Sequence, residues 1–277
     1  MDLYLKTALK CSKITAASYS TSFSTGIRVL NKQYRDQICA IYGFVRFADE
    51  IVDSFYDYNR HELFEKFRKD TYEAINKRIS SNPILHSFQY VVNEYVIEKE
   101  LVDAFLKSME MDLHRHDYNK SQFKEYVNGS AEVVGLMCLK IFYKNDEDGY
   151  NKLKYHARKL GEAFQKVNFL RDIRADFKER GRVYFPGIDF NNFSSHNKQG
   201  IEKEIQDDFN NARPGIKNIR KDARLGIYLI YRYYMALFAK IKRTKAENLI
   251  EKRIRITNLR KTLLLIKCYS RHKLNLI

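Results

Sequence analysis

An all-α fold is predicted for this 277-residue chain by three observations. Glycine and proline number only 11 and 3, too few breaks for a turn-dense β-sandwich or a Pro-rich linker. Hydrophobic residues make up 44%, enough for a sizeable core at this length. Apolar residues also recur at three- and four-residue steps through most of the chain, the period of an amphipathic helix.

The elements follow in order. Ile38, Ile41, Tyr42, Val45, Ala48, Val52 and Phe55 form a helix with a wide apolar face. Leu63 to Ile79 and Ile84 to Val96 repeat the pattern, separated at Asn82-Pro83, and Leu101 to Leu113 is a further helix. Phe123 to Phe142 is more apolar, and Gly129 and Gly135 within it would let a neighbour approach closely. Tyr150 to Phe177 reads as one long amphipathic helix ending near Gly181. Loop signals concentrate between Gly181 and Gly200. Ile201 to Ala212 comes next, a break is expected at Pro214-Gly215, and two or three basic helices complete the chain. No internal repeat, low-complexity tract or linker interrupts this order, so residues 1–277 are expected to form one all-α domain of eight to ten helices.

The formal net charge is +16, and it is unevenly spread. Residues 212–277 carry 18 Lys+Arg and 3 Asp+Glu, almost the entire excess. Four scattered cysteines, Cys11, Cys39, Cys138 and Cys268, show neither zinc spacing nor a disulfide framework and suit a reducing cytosol. The opening MDLYLKTALKCSK lacks the apolar core of a signal peptide. Arg232 and Lys240 interrupt the longest apolar stretch, Ile227 to Ile241, so a cytoplasmic protein without a transmembrane span is expected.

Two acidic stripes stand out. Tyr42, Arg46, Asp49 and Asp53 are spaced so that all four share one side of one helix. Gln165, Asn168, Asp172 and Asp176 do the same on another, with Gly161 continuing the stripe where a backbone or a ligand could come close. Carboxylates one turn apart repel each other unless a cation lies between them. Oxygen donors without His or Cys suit Mg²⁺, or Mn²⁺, rather than zinc or copper. Two such half-sites would fit ions clamping a diphosphate, with Arg46 and Arg171 neutralising the same anion. The plainer alternative is a pair of helices joined by buried salt bridges. No Ser-His-Asp arrangement, dinucleotide fingerprint or P-loop is present, so the chemistry expected is departure of the diphosphate to leave an allylic cation. Such a cation needs a dry aromatic pocket, for which Phe23, Phe44, Phe47, Tyr126, Phe142, Phe164 and Phe169 are available on apolar faces.

The segments IYGFVRFADEIVD and AFQKVNFLRDIRADFKERGRVYFP resemble the two signature motifs of the squalene/phytoene synthase family, which joins two prenyl diphosphates head to head. The likeness extends to ASYSTSF, MEMDL, YVNGSAEVVG and RIRITNLRK, and is strongest to bacterial phytoene synthases. It implies a helical bundle of the isoprenoid synthase type with a central active-site cavity. Asp49, Asp53, Asp172 and Asp176 would be catalytic and, with Asn168, would bind Mg²⁺. Ser20, Thr21, Ser22, Tyr42, Arg46, Gln165 and Arg171 would contact the substrates. Two geranylgeranyl diphosphates would give phytoene for carotenoid biosynthesis through a cyclopropylcarbinyl diphosphate. Farnesyl diphosphate would give dehydrosqualene, or squalene if NADPH supplies hydride. Gly181 to Pro186 resembles the family's flap over the pocket. Thr21 stands where some bacterial relatives have a basic residue, and Asn248 where some have tyrosine. The chain ends soon after Lys261, without the C-terminal anchor of eukaryotic squalene synthases, which favours a bacterial carotenoid or hopanoid-type enzyme.

The competing readings are a class I terpene cyclase, a chain-elongating prenyltransferase and a basic nucleic-acid-binding protein. Ala48 and Glu50 count against a DDxxD elongation motif. No helix-turn-helix, RRM or zinc-finger pattern accompanies the basic quarter, so no nucleic-acid partner is expected. Instead, basic residues interleaved with Tyr231, Tyr233, Tyr234, Phe238 and Leu263 to Ile266 would hold the protein peripherally on an anionic membrane at its inner face, or Arg253, Arg255 or Lys261 would reach the diphosphates.

Overall fold

Side-chain caps set most of the helix starts. In the computed structural model, which describes residues 2–114 and 117–277, Asp2 opens α1 (Leu3–Tyr19) by accepting from Leu5 N at 2.6 Å. Ser20 has an extended backbone that ends α1, and its hydroxyl accepts from Phe23 N to start α2 (Thr21–Arg28). Asn31, Asn59 and Asn82 cap α3 (Lys32–Asp53), α4 (Arg60–Lys77) and α5 (Pro83–Glu94) in the same way. Pro83 takes the first helical position, where its missing N–H costs nothing, so the expected break is a helix start. α6 (Lys99–His114) then buries Val102, Phe105, Leu106 and Met109.

The helix expected over 123–142 is interrupted. α7 (Lys120–Val127) passes through a π-helical turn (Asn128–Glu132) into α8 (Val133–Phe142). Both glycines mark close approaches, as expected. A Cβ on Gly129 would lie 2.3 Å from Ala104 O of α6, and one on Gly135 would lie 3.0 Å from Ala157 O. That second neighbour is on α9 (Glu147–Ile173), whose α-helical turns also stop short of the expected end and give way to a π-helical turn over Arg174–Glu179. Such turns insert one extra residue and often accompany functional sites.

The expected loop is shorter than 181–200. Ser194 and Asn197 form a capping box that starts α10 (Ser195–Asn218), so Gly200 is inside a helix. Pro214 does not break α10, contrary to expectation. It faces solvent, where a freed carbonyl can be hydrated, and His156 Nδ1 of α9 donates to Asn211 O at 2.6 Å. α11 (Lys221–Arg243), α12 (Ala246–Glu251) and α13 (Asn258–Lys273) follow. Thirteen α-helices among the described residues exceed the eight to ten expected, because α1 and α2 precede the first helix read from the periodicity and the first π-helical turn divides Phe123 to Phe142.

Two apolar cores flank a cavity. One is built from α1, α3–α6 and α8, with Phe44 stacked on Phe88 at 3.7 Å between ring centres. The other joins α7, α9, α10 and α11 around Val167, Leu170, Phe209 and Phe238. Each fully buried side chain of this size contributes about 1.5–3 kcal/mol. α9 and α10 are further tied by buried ions, Lys166 Nζ lying 2.7 Å from Glu162 and 2.8 Å from Asp208. α11 turns Tyr233, Tyr234 and Phe238 inward, and Tyr231 packs on Phe209, so these rings form core and not the expected membrane face. Among the described residues, no helix is long and apolar enough to cross a membrane.

Candidate active site

α3, and α9 with the π-helical turn that follows it, place both acidic stripes on one cavity of about 920 Å³. On the α3 side Tyr42, Arg46, Asp49 and Asp53 all line it, as the spacing predicts. Arg46 ion-pairs with Asp49 and Glu50, and its guanidinium lies 4.4 Å from the Tyr19 ring centre. Burial and the nearby Asp53 push the Asp49 carboxyl well above the usual carboxylate range. Its side chain keeps 32% of its exposure, and it lines the cavity.

On the α9 side Gln165, Asn168, Asp172 and Asp176 line the opposite wall. Gln165 donates to Ser130 of the first π-helical turn at 3.3 Å and accepts from Asn168 at 3.3 Å. Arg171 binds Asp172 through Nε and Nη2, the shortest contact being 2.5 Å, and Arg253 Nε adds a second cation at 2.7 Å. Burial and Asp172 push the Asp176 carboxyl up to about 8, opposed by Arg180 at 3.2 Å. Gly161 does let a backbone close in, since its Cβ would lie 2.6 Å from Ala131 O.

The N-terminal candidates divide by role. Ser20, Thr21 and Ser22 all line the cavity, but the Ser20 hydroxyl is already used as a helix cap. Thr21 Oγ1 accepts from Lys261 Nζ at 2.5 Å, so the last helix reaches across to the second. Arg253 and Arg255 also line the cavity. Burial above all, and then Arg171 and Arg255, push the Lys261 ammonium below its ordinary range.

Sequence reasoning missed Asp112, Arg180 and Arg182. Arg182 is buried, with Nη1 2.5 Å from Asp53 Oδ1 and Nη2 3.0 Å from Asp112 O. The Asp112 carboxylate accepts from Tyr126 at 2.6 Å, Tyr118 at 3.0 Å and Tyr184 at 3.1 Å. Burial pushes it up to about 6, against the pull of Arg182. A signal for Asp112 was present: it continues the buried Phe105 and Met109 row of α6, where an apolar residue is expected.

Below the charged lip the cavity is apolar and aromatic. Phe23, Tyr126, Phe142, Phe164 and Phe169 line it as expected. Phe44 does not, being stacked in the core, and Phe47 is exposed on the outer side of α3. Tyr234 completes a ring cluster, stacked on Phe164 at 4.0 Å and 5.9 Å from Phe23, while its hydroxyl donates to Asn168 Oδ1 at 3.1 Å.

The donor set fits a hard divalent cation in its chemistry. Oxygen ligands face each other from two walls, and the buried Asp49 and Asp176 carboxyls hold their protons more tightly than arginine neighbours alone would allow. In this arrangement each carboxylate is turned to an arginine, and among the described residues no three His, Cys, Asp or Glu side chains stand together in a ready metal cluster.

Residues 16–260 match the family model for squalene/phytoene synthase. The chain belongs to the squalene/phytoene synthase family. Among curated squalene/phytoene synthase relatives, it is 26% identical to 4,4'-diapophytoene synthase of Staphylococcus haemolyticus over 67% of this chain and 65% of that one. It is 30% identical to presqualene diphosphate synthase of Rhodopseudomonas palustris over 60% of this chain and 58% of that one. Phytoene synthase of Rhodobacter capsulatus is 27% identical over 83% of this chain and 72% of its own length. The chain thus matches less than two thirds of the length of the first two relatives. The fold is that of a crystal structure of a dehydrosqualene synthase in complex with ligand, with a TM-score of 0.80 at 19% identity over 97% of this chain and 98% of that one.

Proposed function

We propose that this protein condenses two prenyl diphosphates head to head. One observation carries the reading: four carboxylates and a surplus of arginines crowd the lip of a cavity whose remaining wall is apolar and aromatic. A diphosphate is the anion that matches such a lip, and an isoprenoid tail matches the wall below it.

Arg46, Arg171, Arg253 and Lys261 hold the diphosphates, with Ser22, Tyr42 and Gln165 as polar neighbours. Asp49, Asp53, Asn168, Asp172 and Asp176 are the ligands for Mg²⁺ or Mn²⁺. When bound, such a cation supplies charge neutralisation that makes diphosphate a better leaving group. As the C–O bond of the first substrate breaks, its electron pair leaves with the diphosphate, which the arginines stabilise. Phe23, Phe164 and Tyr234 face the allylic cation with their π-systems and exclude water that would quench it. A double bond of the second substrate then attacks the cation, and loss of a proton to the departed diphosphate closes the ring of the cyclopropylcarbinyl diphosphate. This ionises in turn, its second diphosphate leaves, and the rearranged cation loses a further proton to give phytoene or dehydrosqualene, or accepts hydride from NADPH to give squalene.

The product proposed is phytoene from two geranylgeranyl diphosphates, supported by the phytoene synthase match that spans 83% of this chain. The second reading uses farnesyl diphosphate. It is supported by the likeness to 4,4'-diapophytoene synthase and requires NADPH only if squalene is formed. Incubation with each diphosphate and Mg²⁺, with and without NADPH, separates them by chromatography of the hydrocarbon. A C40 product supports the first reading and a C30 product the second. A cyclised C15 or C20 product, or none, overturns both.

A further inference from the structure

Helix α13 is apolar on two sides. Leu264, Leu265 and Cys268 pack against Leu225, Leu229 and Tyr233 of α11. On the other side Leu259, Leu263 and Ile266 are 71%, 58% and 58% exposed, at helical spacings of four and three. Tyr269 is half exposed beside them. The same helix carries Arg260, Lys261, Lys267, Arg271 and Lys273 and no acidic residue, and residues 252–277 hold eight basic residues and no acidic one. A solvated face has no use for a row of leucines, whereas apolar side chains flanked only by cations suit a helix lying in a lipid interface. Its first turns adjoin the active-site mouth, where Asn258 and Lys261 line the cavity.

We propose that the outer face of α13 docks on an anionic phospholipid surface. Leu259, Leu263 and Ile266 enter the acyl boundary while Arg260 and Lys267 meet headgroup phosphates. Charge complementarity favours a leaflet: all charge along the face is positive, and the apolar row is one side chain wide. The orientation puts the cavity mouth at the lipid surface, so an apolar tail can pass from the bilayer to the cavity without crossing bulk water. The surface itself is argued from exposure and charge. Only that use of it rests on the proposed reaction.

The test is co-sedimentation of the full chain with phosphatidylcholine vesicles prepared with and without phosphatidylglycerol. The wild type is expected to pellet with the anionic vesicles alone. Leu263→Ser/Ile266→Ser and Arg260→Glu/Lys267→Glu, two independent double variants at exposed positions, should each lower partitioning about tenfold or more. Circular dichroism and turnover of detergent-solubilised substrate should not change. Binding that ignores the anionic lipid, or that neither variant weakens, overturns the proposal. So does a dimer in sedimentation that Leu263→Ser/Ile266→Ser dissociates, since the row would then serve a second copy of the chain. Anionic-vesicle binding without prenyl-diphosphate turnover supports the surface and counts against the reaction alone.

Discussion

Arg182 joins Asp53 to Asp112: its Nη1 lies 2.5 Å from Asp53 Oδ1, and its Nη2 lies 3.0 Å from Asp112 O and 3.2 Å from Val52 O. The loop behind Gly181 is thereby fastened to the C-terminal ends of α3 and α6. Arg182→Met keeps much of the stem and removes the charge, leaving two carboxylates buried near each other. Removing one partner of a buried pair costs about 3–5 kcal/mol. Chemical denaturation should read a loss of that order, and a loss under about 1 kcal/mol would show that the charges are compensated by other groups.

The acidic stripes give a second prediction. Asp49→Asn and Asp172→Asn should each lower turnover by at least about 10²-fold, comparable to removing one group that stabilises transition-state charge. Helical content should be retained, because burial and Asp53 already disfavour the charged form of Asp49. Far-UV circular dichroism and product formation check the two halves separately. Near-wild-type turnover in either variant would refute the ligand assignment.

Lys261 supplies a third. Its ammonium donates to Thr21, so the last helix brings a cation to an early segment, Ser20 to Ser22, that has none of its own. Lys261→Met should lower kcat/KM for prenyl diphosphate about 10- to 100-fold, the loss expected for one charge-assisted hydrogen bond. An unchanged value would mean that Lys261 only fastens α13 to α2.

A pH effect follows from His86. It is buried, its Nδ1 accepts from Ser80 N at 3.3 Å, and burial holds its imidazole below the ordinary 6.5. Above 6.5 the residue is neutral in the folded and unfolded chain alike, and its contribution is complete. As pH falls from there toward the folded value, the unfolded chain takes the proton first and stability is lost. Urea midpoints at pH 7.5 and 5.5 should therefore fall further for the wild type than for His86→Gln. Equal falls would remove His86 as the cause.

Much of this was legible in advance because a helix brings residues three and four apart to one side. That rule alone put Asp49 with Asp53, and Asp172 with Asp176, on one wall each. It also located α3 to α6, whose apolar rows are regular, the first three of them capped by Asn31, Asn59 and Asn82. Pro214 was misleading because a proline is tolerated inside a helix where the carbonyl it frees, here that of Asn210 on the exposed side of α10, can meet solvent. Arg182 sits in a loop with no period to read, and its partners come from α3 and α6. α11 is aromatic on most sides, so only its neighbours decide that Tyr233 and Tyr234 face inward.

The hydrogen bond from Lys261 to Thr21 spans 240 positions of the chain. α1, α3 and α5 pack on one another early in the sequence and can settle while later residues are still being synthesised. The mouth of the cavity cannot, since its rim is shared by the second helix and the last. During biosynthesis the greasy interior is therefore walled before it is roofed, and the polypeptide must carry an open apolar chamber until α13 arrives to close one side of it.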